Sequence, residues 1–138
     1  MRLTIALCLL PLLGAAQTKP VLGANDNPVL TAPEVRFLDS LLRDQRQEFT
    51  FAEKRIAFSS GSGGTVIESK SRAFQHILPW TTKGQQPAVR LVPLTAAEKQ
   101  ASGGYDALVV TWAKVFDEKR KQRVLRALGN GMRAGLVP

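Results

Sequence analysis

The feature that most constrains this fold is a predicted β-hairpin between Lys54 and Lys70. Apolar and polar residues alternate in its first half, and β-branched residues return in its second half, which is the period-two pattern of strands. Between the two runs, residues 59–64 are all serine or glycine, a composition that suits a loop of several residues rather than a tight turn. We expect the other elements to pack in layers around this hairpin.

The serine–glycine loop is the first candidate binding site. Its backbone N–H groups and hydroxyls could form a small nest for a phosphate or a carboxylate. The spacing fits neither the P-loop nor the dinucleotide-binding fingerprint, and a strand follows the glycines where those motifs have a helix. The alternative is a hairpin loop without a ligand. The candidate anion-binding residues are Ser60, Gly61, Ser62, Gly63 and Gly64.

The N-terminus has the pattern of a secretory signal peptide. Arg2 precedes an uncharged apolar run, residues 3–13, which is too short to span a membrane, and small residues follow it at 14–16. We expect cleavage after Ala16 and export to the bacterial periplasm or the medium, with no transmembrane span in the mature chain. The only cysteine, Cys8, lies in this leader, so the mature chain would have no disulfide and no thiol chemistry.

Positive charge is concentrated near the C-terminus of the chain. The net charge is +8 overall, and the residues from Ala113 onward include seven Lys or Arg but only Asp117 and Glu118 as acids. A helix predicted over 117–129 places a set of cations opposite its aliphatic side. This basic ridge could contact polyanions, or it could be a solvated helix face. Its members are Lys119, Arg120, Arg123 and Arg126.

Local patterns predict the remaining elements of the mature chain. Capping boxes at Thr31–Glu34 and Thr95–Glu98 predict two helix starts, and Pro79 predicts a helix end. Residues 107–112 form the least polar run and are apolar on both faces, as in a central strand. Besides the hairpin, the predicted helices cover 31–46, 69–78, 95–101 and 117–129, and the predicted strands cover 48–51, 88–92 and 107–112.

These elements predict an α+β fold of two layers, with a mostly antiparallel sheet of four or five strands and helices mainly on one face. The alternative is a small three-layer α/β domain, because the strand–helix–strand order from Ala88 to Trp112 is also that of a parallel crossover. The predicted domain bounds are 1–16 for the signal peptide, 17–30 for a flexible N-terminal segment, 31–129 for one globular domain and 130–138 for a loose C-terminal tail.

Catalytic and metal-binding patterns are weak in this sequence. The lone histidine, His76, is expected to point to solvent, and we predict neither a metal site nor a cofactor. Glu68 ends a hairpin strand and Asp106 precedes the central strand, so the two could act as acid and base if they met across the sheet. The alternative for Asp106 is a turn whose aspartate accepts backbone N–H bonds.

Two functional hypotheses follow from these observations. The first is a small, non-enzymatic exported domain that binds an anionic envelope polymer, a lipid surface or another envelope protein through the basic ridge. Nucleic acid is not favoured, because no aromatic side chain alternates with the cations. The second is a small hydrolase or ligand-binding enzyme that uses the serine–glycine loop with Glu68 and Asp106.

Overall fold

The computed structural model describes residues 21–45, 48–61, 64–82, 88–112 and 116–138. The predicted signal peptide and two residues of the serine–glycine loop, Ser62 and Gly63, lie outside this described part. The helices are α1 (Ala32–Leu41), α2 (Lys70–Thr82), α3 (Ala96–Ala101) and α4 (Glu118–Gly129). The strands are β1 (Ile56–Ser60), β2 (Val66–Glu68), β3 (Val89–Pro93), β4 (Ala107–Thr111) and β5 (Gly135–Leu136).

The five strands form one mixed sheet in the order β3–β4–β1–β2–β5. β1 and β4 pair in parallel, and the other three pairings are antiparallel. Every residue of β1 and of β4 is buried. The apolar run at 107–112 predicts this burial for β4. The predicted hairpin, the α+β class and the mostly antiparallel sheet are therefore confirmed.

Helices cover both faces of the sheet, so the prediction that they lie mainly on one face is wrong. Residues of α1 and α2 pack against Phe58 and Val109 on one face, whereas residues of α4 pack against Leu108 and Val110 on the other. Neighbouring residues of a strand point to opposite faces, and both sets are apolar in the central strands, so both faces require cover. The domain therefore has three layers, as in the alternative α/β prediction. The parallel crossover of that alternative is absent, because β3 and β4 pair antiparallel.

Both predicted capping boxes are present. Thr31 and Thr95 each accept a hydrogen bond from the N–H of the glutamate three residues later, and that glutamate accepts one from the threonine N–H. These contacts are local, which is why the sequence predicts them well.

Two other predictions are wrong, namely the end of α2 and the strand at 48–51. α2 continues through Pro79 to Thr82, because its buried Phe74 and Ile77 hold the helix on the sheet despite the proline. Residues 48–51 form no strand, and their two phenylalanine rings instead pack edge-on with centroids 5.3 Å apart.

Both ends of the described chain pack against the sheet. Val29 forms an antiparallel bridge with Arg55, and Leu30 is buried, although composition predicts a flexible segment there. At the other end, β5 pairs with β2 and Val137 is buried, which differs from the predicted loose tail. Both segments supply hydrogen-bond partners to strand backbone that would otherwise lack them.

Candidate functional site

The basic ridge and the serine–glycine loop lie side by side in the folded domain. Arg123 of α4 donates a hydrogen bond from Nη2 to Oγ1 of Thr65 at 3.4 Å, and Thr65 directly follows the loop. Their proximity follows from the parallel pairing of β1 and β4, since parallel strands end at the same edge of a sheet. β1 leads into the loop from this edge, and β4 leads into α4.

Three of the four predicted cations form one stripe along α4. Lys119, Arg123 and Arg126 occupy positions i, i+4 and i+7, which share one side of a helix with 3.6 residues per turn. Lys119 and Arg126 are exposed, and Arg123 is half-buried. Arg120 is also half-buried, lies off this stripe and already interacts within the domain. We call Lys119, Arg123 and Arg126 the basic stripe.

Arg123 is anchored at the base of the loop. Its partner Thr65 is 4% exposed, and its own Nε is buried without a hydrogen-bond partner in the described part of the chain. A buried donor without a partner costs about 1–3 kcal/mol unless a ligand or water satisfies it. A guanidinium has five N–H donors in a rigid fork, so Arg123 retains donors that an anion can use.

The described residues of the loop are only partly open to a ligand. Ser60 is buried in β1, and the Gly61 N–H donates to the carbonyl oxygen of Thr111 at 3.2 Å. Gly64 lies against Leu136 of β5, because a Cβ placed there would meet the leucine side chain at 3.3 Å. The anion-binding role of the loop, which also involves Ser62 and Gly63, stays a prediction.

The structure does not bring Glu68 and Asp106 together. Glu68 lies in β2, opposite Phe58, whereas Asp106 precedes β4 on the other side of β1. Asp106 accepts the backbone N–H of Arg55 at 2.8 Å, as the turn interpretation predicts, and its other oxygen lies 2.9 Å from Nζ of Lys99. Burial raises the pKa of Asp106, but these two contacts outweigh burial and the net pKa is lowered.

His76 faces a carboxylate as well as solvent. Its Nδ1 lies 3.1 Å from Oε2 of Glu68, and the two side chains are 38% and 5% exposed. Neither atom has a well-aligned hydrogen bond within the described residues, so the contact is electrostatic and is attractive when Nδ1 carries a proton. The expectation that His76 points to solvent is therefore only partly correct. In the same part of the chain, no three His, Cys, Asp or Glu side chains cluster as a metal site requires.

Sequence reasoning missed a buried ion pair between α1 and α2. Oε1 of Glu34 lies 2.8 Å from Nζ of Lys70, and the two side chains are 1% and 3% exposed. Glu34 also accepts N–H bonds from Gly23 and Thr31, and Lys70 donates to Asn25. The capping box predicts the bond to Thr31, but no local pattern points to a lysine 36 positions away. This network joins the N-terminal segment to both helices.

Fold and site together define an α+β domain with a mixed five-stranded sheet and a cationic stripe on its last helix. Across the ranges that the structure describes, no helix has both the length and the apolar character needed to cross a membrane. The chain belongs to the family described as a domain of unknown function (DUF8192), whose model matches residues 26–130. Comparison with curated proteins and with solved structures gave no significant match.

Proposed function

We propose that this domain binds an anionic polymer of the cell envelope through the basic stripe and catalyses no reaction. The observation that carries the proposal is the arrangement of Lys119, Arg123 and Arg126 on one side of α4, with Arg123 anchored to Thr65 at the base of the loop. Cations grouped on one face attract carboxylate, sulfate or phosphate groups that repeat along a polymer.

The enzymatic alternative has weaker support. It requires Glu68 and Asp106 to share a site, but they lie on opposite sides of β1, and each faces its own basic partner. A carboxylate next to Lys99 is stabilised in its charged form, which suits a structural role better than proton transfer.

We further propose that the chain is exported after cleavage at Ala16. The support is the pattern of residues 1–16: a single arginine, a short apolar run and small residues at the cleavage position. Expression of the full chain in a bacterium, followed by mass spectrometry of the exported protein, is expected to show a mature N-terminus at Gln17. A secreted or periplasmic product that retains Met1 would contradict cleavage at Ala16, and a product found only in the cytoplasm would contradict export.

The binding proposal is tested with two variants of equal charge. The stripe variant carries Lys119→Gln, Arg123→Gln and Arg126→Gln. Its matched control removes three exposed arginines from the opposite face of the sheet. One lies in α1, one just after α1 and one in α2. The control substitutions are Arg36→Gln, Arg43→Gln and Arg72→Gln.

Retention on immobilised heparin and sedimentation with anionic lipid vesicles are the two measurements. At about 1 kcal/mol for each cation near an anionic surface, the stripe variant is expected to bind about a hundredfold more weakly, and the control close to wild type. Equal losses in both variants would show that net charge acts rather than the stripe. Binding to vesicles but not to heparin would assign the stripe to a lipid surface instead of a polymer.

A further inference from the structure

A cavity opens where the sheet is incomplete beside β1. On the side of β1 that faces β2, Val29 bridges Arg55, and Glu68 pairs with Phe58. These two pairings leave a notch at Ala57, where the described chain places no strand neighbour on that side. The notch forms part of a cavity of about 160 Å³.

The walls of this notch cavity are largely apolar and come from distant parts of the chain. Tyr105 is fixed in place, because the Arg55 guanidinium lies 5.0 Å from its ring centroid and Oγ of Ser102 accepts its backbone N–H. A pre-formed apolar cavity with few polar groups is the usual form of a small-molecule site. The residues that supply the apolar lining and the aromatic ring are Ala57, Ile67, Leu128, Ala134 and Tyr105.

Among the charged residues that line the notch cavity, Arg133 stands out. Glu68 faces the half-buried His76, and Lys70 faces the buried Glu34. Asp26 accepts the N–H of Ser71 at 3.4 Å and keeps its negative charge. Arg133 is exposed, and the described residues give it neither an ion pair nor a hydrogen bond. The cavity therefore combines apolar walls with a guanidinium that has no carboxylate partner among the described residues, and the fork geometry of this group matches a carboxylate.

We propose that the notch cavity binds a small carboxylate with an aliphatic body. The carboxylate contacts Arg133, and the aliphatic body packs against Ala57, Ile67 and Leu128. The volume lies below the roughly 300–1,000 Å³ of sites for drug-sized ligands, so the occupant has on the order of ten heavy atoms or fewer. This site is separate from the basic stripe, because it lies beside the start of β1 whereas the loop follows the end of β1.

The test uses three probes that separate charge from shape. Amide chemical shifts of the full chain are followed by NMR during titration with 3-methylbutanoate, with 3-methylbutan-1-amine of the same carbon skeleton, and with acetate. We expect saturable shifts at Ala57, Ile67 and Tyr105 with 3-methylbutanoate, at least tenfold weaker binding of acetate, and no binding of the amine. Equal binding of the amine, or no saturable shift with 3-methylbutanoate, would overturn the proposal.

Two variants test the location of the site. Arg133→Gln is expected to weaken 3-methylbutanoate binding at least tenfold, whereas the matched Arg36→Gln leaves it unchanged. Ala134 is exposed, so Ala134→Leu can fill the mouth of the cavity without disturbing the core, and it is expected to abolish binding. Wild-type affinity in either cavity variant refutes the site. The stripe variant must still bind 3-methylbutanoate, so this proposal and polymer binding can fail independently.

Discussion

Replacing Glu34 with glutamine is expected to destabilise the domain by about 3–5 kcal/mol, because it breaks a buried ion pair by removing one partner. Glu34 and Lys70 are 1% and 3% exposed, and the joined atoms are 2.8 Å apart. In the variant the ammonium group stays buried, with the neutral Asn25 side chain as a remaining partner at 3.0 Å. Since small domains are stable by only about 5–15 kcal/mol, the loss is a large fraction of the total.

The second capping box supplies a matched control. Glu98 occupies the same position in the same motif, accepts the N–H of Thr95 and pairs with Lys121 at 2.8 Å. The side chains of this second ion pair are 16% and 18% exposed, so water can solvate the lysine when the carboxylate is removed. Glu98→Gln is therefore expected to cost about 1 kcal/mol or less. The difference between the two variants isolates the effect of burial.

Urea unfolding followed by circular dichroism measures both losses. A double variant, Glu34→Gln with Lys70→Met, removes both buried charges and is expected to recover most of the stability lost in Glu34→Gln alone. The reasoning is refuted if Glu34→Gln costs no more than Glu98→Gln. It is also refuted if Lys70→Met, added to Glu34→Gln, lowers the free energy of unfolding further instead of restoring it.

Three further predictions concern pH and packing. Burial raises the pKa of Glu34, but hydrogen bonds from Lys70 and from two backbone N–H groups outweigh burial, so the net pKa is lowered. The ionised carboxylate therefore stabilises the fold fully above the unfolded pKa of about 4.3, and this stabilisation is lost as the pH falls through the folded pKa. Lowering the pH should therefore reduce the free energy of unfolding of Glu34→Gln less than that of wild type. Gly129→Ala should destabilise by about 1–3 kcal/mol in urea, because its Cβ would overlap the carbonyl oxygen of the α3 residue Ala101 and force α3 and α4 apart. Leu108→Ala, at a fully buried site, should cost about 2–5 kcal/mol by the same measurement, whereas Leu136→Ala, 69% exposed, should change stability by about 0.5 kcal/mol or less.

Local signals in the sequence predicted local structure well. The capping threonines, the hairpin and the apolar run at 107–112 each specify their element through contacts within a few residues or through the burial of a whole strand. Predictions failed where distant packing outweighed a local preference. Pro79 disfavours a continuing helix, yet α2 continues because its apolar side is held on the sheet. Phe49 and Phe51 have strand propensity, but they pack as a pair in an irregular segment.

Only part of the candidate site could be predicted from the sequence, because the rest depends on packing between distant residues. Helical spacing identifies Lys119, Arg123 and Arg126 as cations on one side of a helix, and this step needs no tertiary information. The contact between Arg123 and Thr65 spans 58 positions and depends on the parallel register of β1 and β4, which the alternation of residues does not encode. The notch cavity was beyond prediction, since segments near both ends of the chain contribute to its walls.

The parallel pair also separates the two proposed sites along α4. Arg123 lies at the base of the loop that follows β1, whereas Leu128, more than one turn further along, lines the cavity beside the start of β1. Between the two proposed sites, Val124 and Leu125 are buried against the sheet and fix the helix in position. Substitutions on the outer side of α4 should therefore change polymer binding alone, because they leave this inner packing, and with it the wall of the cavity, intact.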